Sequence, residues 1–196
     1  MKRASIFIFS FLLLLSSCSN EFDYTDNGKE NNIDVNKVNS SVSDFEREFS
    51  DVTSMLREAR TRSEVLDNSD YDLLLDSIGN VIIADLLPTS TKLVYELGLK
   101  EADFDELEAE FGIPSDFIKV YFAMGVMEAN KKYYNTRVTA EDIASCAIFG
   151  YGYKSLVEGG AKLALRKSVQ QFAKKLIPYL GWGWWATETA ACLARL

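Results

Sequence analysis

Residues 101–130 read EADFDELEAEFGIPSDFIKVYFAMGVMEAN, and this stretch decides the fold class. Phe104, Leu107 and Phe111 recur at spacings of three and four, which places them on one face of a helix. Gly112 stops that helix, because glycine enters a left-handed C-terminal turn without a Cβ clash. Pro114-Ser115 opens a second helix, whose apolar face is carried by Phe117, Val120, Tyr121, Met124 and Met127. The pattern is a helical hairpin.

Upstream, Ser43 and Glu46 have the spacing of a capping box. Phe45, Phe49, Val52, Leu56 and Ala59 then mark one face of a helix, and Arg57, Arg60 and Arg62 favour its C-terminus. Asp67-Asn68-Ser69-Asp70 reads as a turn and cap. Leu73 to Leu87 is strongly apolar, with Gly79-Asn80 in the middle. That dipeptide suits a hairpin turn before Val81-Ile82-Ile83, but Leu and Ala surround it and no second alternating run appears. The expectation is two short helices, then Pro88, then a helix over Thr89 to Leu97 closed by Gly98.

Downstream, Thr139 with Asp142 caps a helix expected to reach Glu158. Gly150 and Gly152 inside it each cost about 1 kcal/mol relative to alanine, so they mark a break or a close helix contact. Gly159-Gly160 ends the segment. Lys162, Arg166, Gln170 and Lys174 then repeat every fourth residue, backed by Lys167, Gln171 and Lys175. Leu165, Val169, Phe172 and Leu176 form the opposite stripe of this cationic amphipathic helix. After Pro178 come Gly181-Trp182-Gly183-Trp184-Trp185 and a small-residue helix through Thr187, Ala190, Ala191 and Ala194. The fold class is all-α, an irregular bundle of about seven helices.

The N-terminus has a different character. Lys2 and Arg3 precede an apolar core from Ile6 to Leu15, broken only by Ser10 and too short for an ordinary membrane span. Leu15-Ser16-Ser17-Cys18 follows, and it resembles the lipobox of bacterial lipoproteins. The resemblance implies cleavage before Cys18, diacylation of its thiol and a membrane partner reached through that lipid. Glu21, Asp23 and Asp26 resemble the acidic signals that mark surface export in some Gram-negative lipoproteins, which implies an outer-membrane or cell-surface location. With Cys18 spent on the lipid, Cys146 and Cys192 remain in an exported chain. They are expected to pair, the alternative being two buried thiols. Ideal straight helices would offset them by roughly 10 Å, so a bridge needs a break at Gly150–Gly152 or a late start of the last helix.

The domain organisation is therefore residues 1–17 as signal peptide, 18–40 as lipidated cysteine and flexible tether, 41–138 as an acidic helical region and 139–196 as a basic, Gly/Trp-rich helical subdomain packed on it. The tether is rich in Asn, Asp, Ser and Glu, and such a composition buries too little surface to offset its ordering entropy. Charge follows the same division. Residues 18–145 hold 12 Lys and Arg against 27 Asp and Glu, whereas residues 146–196 hold 7 against 2.

These features exclude several functions. No histidine occurs anywhere, which removes Ser-His-Asp and Cys-His catalysis and the two-histidine zinc motif. The hairpin of residues 101–130 has the outline of a DNA-binding helix-turn-helix, but Glu106, Glu108 and Glu110 would repel phosphate. No nucleic-acid partner is expected. Asp23, Thr25, Asn27, Gly28 and Asp34 match positions of an EF-hand calcium loop, yet Glu30 stands where an apolar anchor belongs and Asp34 replaces the bidentate glutamate. Gly159-Gly160 before a basic stretch resembles the processing site of double-glycine bacteriocin leaders, but Tyr153 and Lys154 do not suit one and 158 residues precede it. No cofactor, metal ligand or catalytic residue is implied.

The expected role is a non-enzymatic interaction with an unknown protein or an anionic surface. Lys162, Arg166, Lys167, Lys174, Lys175, Trp182, Trp184 and Trp185 are the candidate lipid or partner contacts. The same residues suit a membrane-active, antimicrobial alternative acting through 161–196. A surface helix packed on the acidic half accounts for the same stripes and is the expectation.

Overall fold

The computed structural model describes residues 33–62, 68–134, 152–174 and 181–194. Among these residues the regular structure is all helical, and Asn31–Leu196 group as one compact unit. Helix α1 (Val35–Arg62) begins at a side-chain cap. The Asp34 Oδ1 accepts from the backbone N–H groups of Asn36 and Lys37 at 3.0 and 3.3 Å, satisfying two donors that a helix start leaves open. The helix thus starts inside the 18–40 segment expected as tether. Ser43 does not cap it but lies within it and donates to the Asn39 carbonyl at 3.1 Å. The reason is burial: Val38 and Val42 extend the buried row of Phe45, Phe49, Val52 and Leu56. Burying each such side chain stabilises by about 1.5–3 kcal/mol, which offsets the ordering of the added turns.

Helix α2 (Asn68–Glu96) runs unbroken through Gly79-Asn80 and Pro88. Two short helices and a third after Pro88 were expected; they form one helix, and the described residues hold six helices rather than about seven. Pro88 removes the bond to the Ala84 carbonyl, and both residues lie on the exposed face, where burial adds no penalty to the lost bond. The buried row Leu75, Ile82, Leu86, Leu93 continues across the proline. Gly79 is a packing notch rather than a turn. A Cβ there would lie 1.6 Å from the Gly183 carbonyl oxygen, so α6 (Trp182–Leu193) crosses α2 with its backbone almost in contact. Thr187 Oγ1 donates to the Leu75 carbonyl at 2.8 Å beside it. Leu73–Glu96 is also long and apolar enough to cross a membrane, by length and composition alone. Its buried row packs on α1, α4 and α6.

Helices α3 (Glu101–Phe111) and α4 (Ser115–Tyr134) form the expected hairpin. Gly112 takes φ 67° and returns its N–H to the Glu108 carbonyl. The Glu108 side chain reaches over the turn to accept from the Ser115 N–H at 2.9 Å. The sequence pattern names one apolar face of α4, but every residue from Phe117 to Ala129 is buried. A helix enclosed on all sides by neighbours has no solvent face to show.

The expected helix over 139–158 lies mostly outside the described residues. Its end shows the break: Gly152 is extended (φ −73°, ψ 146°) and precedes one helical turn, Tyr153–Ser155. A wide π turn, Leu156–Gly160, follows, with Gly159 at φ 103°, and α5 (Ala161–Ala173) starts after it. A Cβ on Gly152 would touch nothing within 4 Å and its φ suits any residue, so neither close packing nor backbone shape requires this glycine.

Side-chain pairs give the directions. Asp44–Lys92 and Glu48–Thr89, both 2.8 Å, set α1 antiparallel to α2. Lys131–Glu46 at 3.0 Å and the Asn39–Tyr134 contact set α1 antiparallel to α4. The central α4 is ringed by α1, α2, α3, α5 and α6.

Candidate functional site

The residues nominated from the sequence sit on α5 and α6, and their surroundings decide what they can do. Lys162 Nζ lies 2.6 Å from Asp103 Oδ1. Arg166 spreads its guanidinium over two acids, 2.8 Å to Glu106 Oε1 and 2.5 Å to Glu110 Oε2. Asp103, Glu106 and Glu110 lie along one side of α3 at helical spacing, so a short parallel helix meets them in register. The pairing holds Lys162 above its ordinary pKa, mainly through the hydrogen bond with Asp103. Arg166 is likewise raised by Glu106 and then Glu110. Lys167 is half-buried and Lys174 is exposed at the end of α5. The leading half of the basic stripe thus faces the chain's own acidic helix.

The aromatic residues are drawn inward in the same way. Phe172 packs on Tyr121 at 4.8 Å, Phe117 at 5.2 Å and Trp185 at 5.3 Å between ring centroids. Trp182 lies 5.4 Å from Phe117. Glycines and small residues let α6 approach, and the indoles of Trp182 and Trp185 fill the flanking space, as the composition of this segment implies. Trp184 belongs to α6. Cys192 is half-buried near the end of α6, whereas Cys18, Cys146 and Lys175 lie outside the described residues. Of the calcium-loop candidates only Asp34 is described, and it caps α1.

Two polar clusters escaped the sequence reading. Lys119, its side chain 6% exposed, stands near the start of the buried run of α4. Its Nζ meets Glu101 Oε1 at 2.6 Å and Asp116 Oδ1 at 3.7 Å, and it lies 5.6 Å above the Phe104 ring. The Tyr95 hydroxyl donates to the other oxygen of Glu101. Lys119 first and Tyr95 second hold the Glu101 carboxyl below the usual carboxylate range. The second cluster centres on Asn39. Its Oδ1 accepts from Tyr153 Oη at 2.5 Å and Asn130 Nδ2 at 3.3 Å, and its Nδ2 donates to Tyr134 Oη at 3.3 Å. A charge within the apolar run 117–129 was a usable signal for Lys119. Asn39 carried none, because it lies in the segment assigned to the tether.

Among the described residues no group of three or more His, Cys, Asp or Glu side chains is arranged to hold a metal ion. The charged groups brought together here tie helices to one another. No protein-family model, curated protein or solved structure matches the chain.

Proposed function

We propose that this chain is a lipid-anchored envelope or cell-surface protein whose helical domain has a non-enzymatic interaction role. The observation that carries the reading is the seam between α3 and α5. Lys162 and Arg166, needed at a lipid surface by a membrane-active peptide, are matched instead to Asp103, Glu106 and Glu110. Releasing residues 161–196 would separate these charges and strip Phe172, Trp182 and Trp185 from Phe117 and Tyr121. A domain closed in this way suits a body displayed on a tether. The absence of histidine from the whole sequence agrees with a role without acid–base catalysis near neutral pH.

Anchoring is tested by labelling bacterial cells with a palmitate analogue and fractionating them. Label and membrane association should both be lost in Cys18→Ser, and a Cys18→Ser chain that still labels and sediments would overturn the anchor. The interaction role is tested against the membrane-active alternative by dye leakage from anionic vesicles. The folded chain should release no dye, and leakage that disappears when Lys162, Lys167 and Lys174 become glutamine would favour the alternative. The Cys146–Cys192 pairing belongs to the same proposal. Mass spectrometry after alkylation without reductant should find neither thiol labelled, and two labelled thiols would remove the bridge.

A further inference from the structure

Tyr133 and Tyr134 end α4 with 55% and 59% of their surface exposed, and Val35 at the start of α1 is 40% exposed. These side chains share one end of the domain. The two tyrosine rings meet edge-on at 4.9 Å, and both lie against Tyr153, at 5.8 and 6.1 Å. Tyr153 is buried and bonded to Asn39, which also binds the Tyr134 hydroxyl. Val35 stands one turn before Asn39. The exposed aromatics are therefore held in place from below rather than dangling.

Among the described residues the charge at this end leans basic, four lysines against three acids. Lys37, Lys132 and Lys154 are exposed on the first turn of α1, the last turn of α4 and the turn beginning at Tyr153. Of the described acids nearby, Glu46 pairs with Lys131 at 3.0 Å and Glu158 with Lys154 at 3.7 Å, which leaves Lys37 and Lys132 against Asp34, the cap of α1. Rigid tyrosines with an apolar body and a polar tip, ringed by lysines, match the headgroup zone of a bilayer.

This is also the end at which the chain from Cys18 enters the domain. Fully extended, residues 18 to 33 span at most about 50 Å. The other aromatic cluster, around Phe117, Phe172, Trp182 and Trp185, sits at the opposite end of α4, about 25 Å away along the helix. We infer that the end formed by Val35, Tyr133 and Tyr134 with Lys37, Lys132 and Lys154 is a platform that rests on the surface of an anionic lipid bilayer. The inference rests on the lipid-anchor reading above. The anchor keeps the platform near the membrane, and the platform sets which way up the domain stands, leaving the Trp-bearing end outward.

The test separates the platform from the anchor. The chain from residue 18 with Cys18→Ser and an N-terminal polyhistidine tag is held on nickel-chelating phosphatidylcholine vesicles, with or without phosphatidylglycerol. Hydroxyl-radical oxidation of Tyr133 and Tyr134 is followed by mass spectrometry, with Tyr95 as internal reference. Both tyrosines should oxidise more slowly on the anionic vesicles, while Tyr95 does not change. The triple variant Lys37→Gln, Lys132→Gln, Lys154→Gln changes exposed side chains only. It should weaken the contact on the order of a hundredfold, about fivefold per lysine, and abolish the protection. Equal oxidation on both vesicles, protection that survives in the triple variant, or protection of Tyr95 instead would overturn the platform. Absence of palmitate label in cells would remove the natural anchor without altering this result.

Discussion

Gly79→Ala tests whether the crossing of α2 and α6 is built on glycine. The added Cβ would lie 1.6 Å from the Gly183 carbonyl oxygen and 2.5 Å from the Gly183 Cα. These are backbone atoms, so nothing can rotate aside. To restore a contact near 3.5 Å, α6 must move outward by about 2 Å. The buried bond from Thr187 Oγ1 to the Leu75 carbonyl, 2.8 Å long, does not survive that shift. Its loss costs about 1–3 kcal/mol when both groups stay buried. Forced overpacking adds about 1–3 kcal/mol. Alanine returns about 1 kcal/mol of helix propensity. The balance is a loss of about 1–5 kcal/mol, a fall in Tm of roughly 3–15 °C for a unit of this size. Trp182 and Trp185 flank the crossing, so their fluorescence during urea unfolding reports it directly. Gly152→Ala is the control, since a Cβ there meets nothing within 4 Å, and its stability should stay within about 0.5 kcal/mol of the parent. A Gly79→Ala chain as stable as the parent, or more so, would refute the reasoning, because propensity would have outweighed the contact.

Phe172→Ala should cost about 3–5 kcal/mol in urea unfolding, since it removes the ring that joins Phe117, Tyr121 and Trp185; a loss below about 1 kcal/mol would show that the cluster does not hold the C-terminal helices. Arg166→Glu places a third carboxylate against Glu106 and Glu110. It should lower stability more at low salt than at high salt, and Glu106→Lys with Glu110→Lys should restore it; salt-independent loss would point to packing instead. Lys119→Met keeps the packed stem but removes the group that most lowers the Glu101 pKa. A depressed carboxyl stabilises above its ordinary pKa and loses that contribution as pH falls through the lowered value. The variant should therefore show a Glu101 titration moved up toward the usual range by carbon NMR and a flatter acid limb of stability. An unmoved titration would assign the shift to Tyr95.

The parts of the fold legible in the sequence are those governed by neighbours along the chain. The α3–α4 hairpin needs only a repeat of apolar residues and a glycine free to take φ 67° at position 112. Gly159-Gly160 likewise marks a real break, with Gly159 at φ 103°. The row Phe45, Phe49, Val52, Leu56 is buried on one face as its spacing implies. The nominated contact residues were legible as a cationic stripe beside tryptophans, but not as residues that Asp103, Glu106 and Glu110 would claim.

The sequence by itself determined the helical class, the hairpin turn and the charge asymmetry, because periodicity and glycine stereochemistry act over a few residues. Only the tertiary structure decided that Gly79-Asn80 is a crossing point and not a turn. It also decided that Pro88 sits inside a helix, that α1 starts at Val35, and that the basic face of α5 closes on α3. Each of these depends on what packs opposite: a second glycine backbone at Gly183, an exposed face for Ala84, a core for Val38 and Val42, an acidic row one helix away. A glycine notch and a glycine turn read the same along the chain, and the partner across the contact tells them apart.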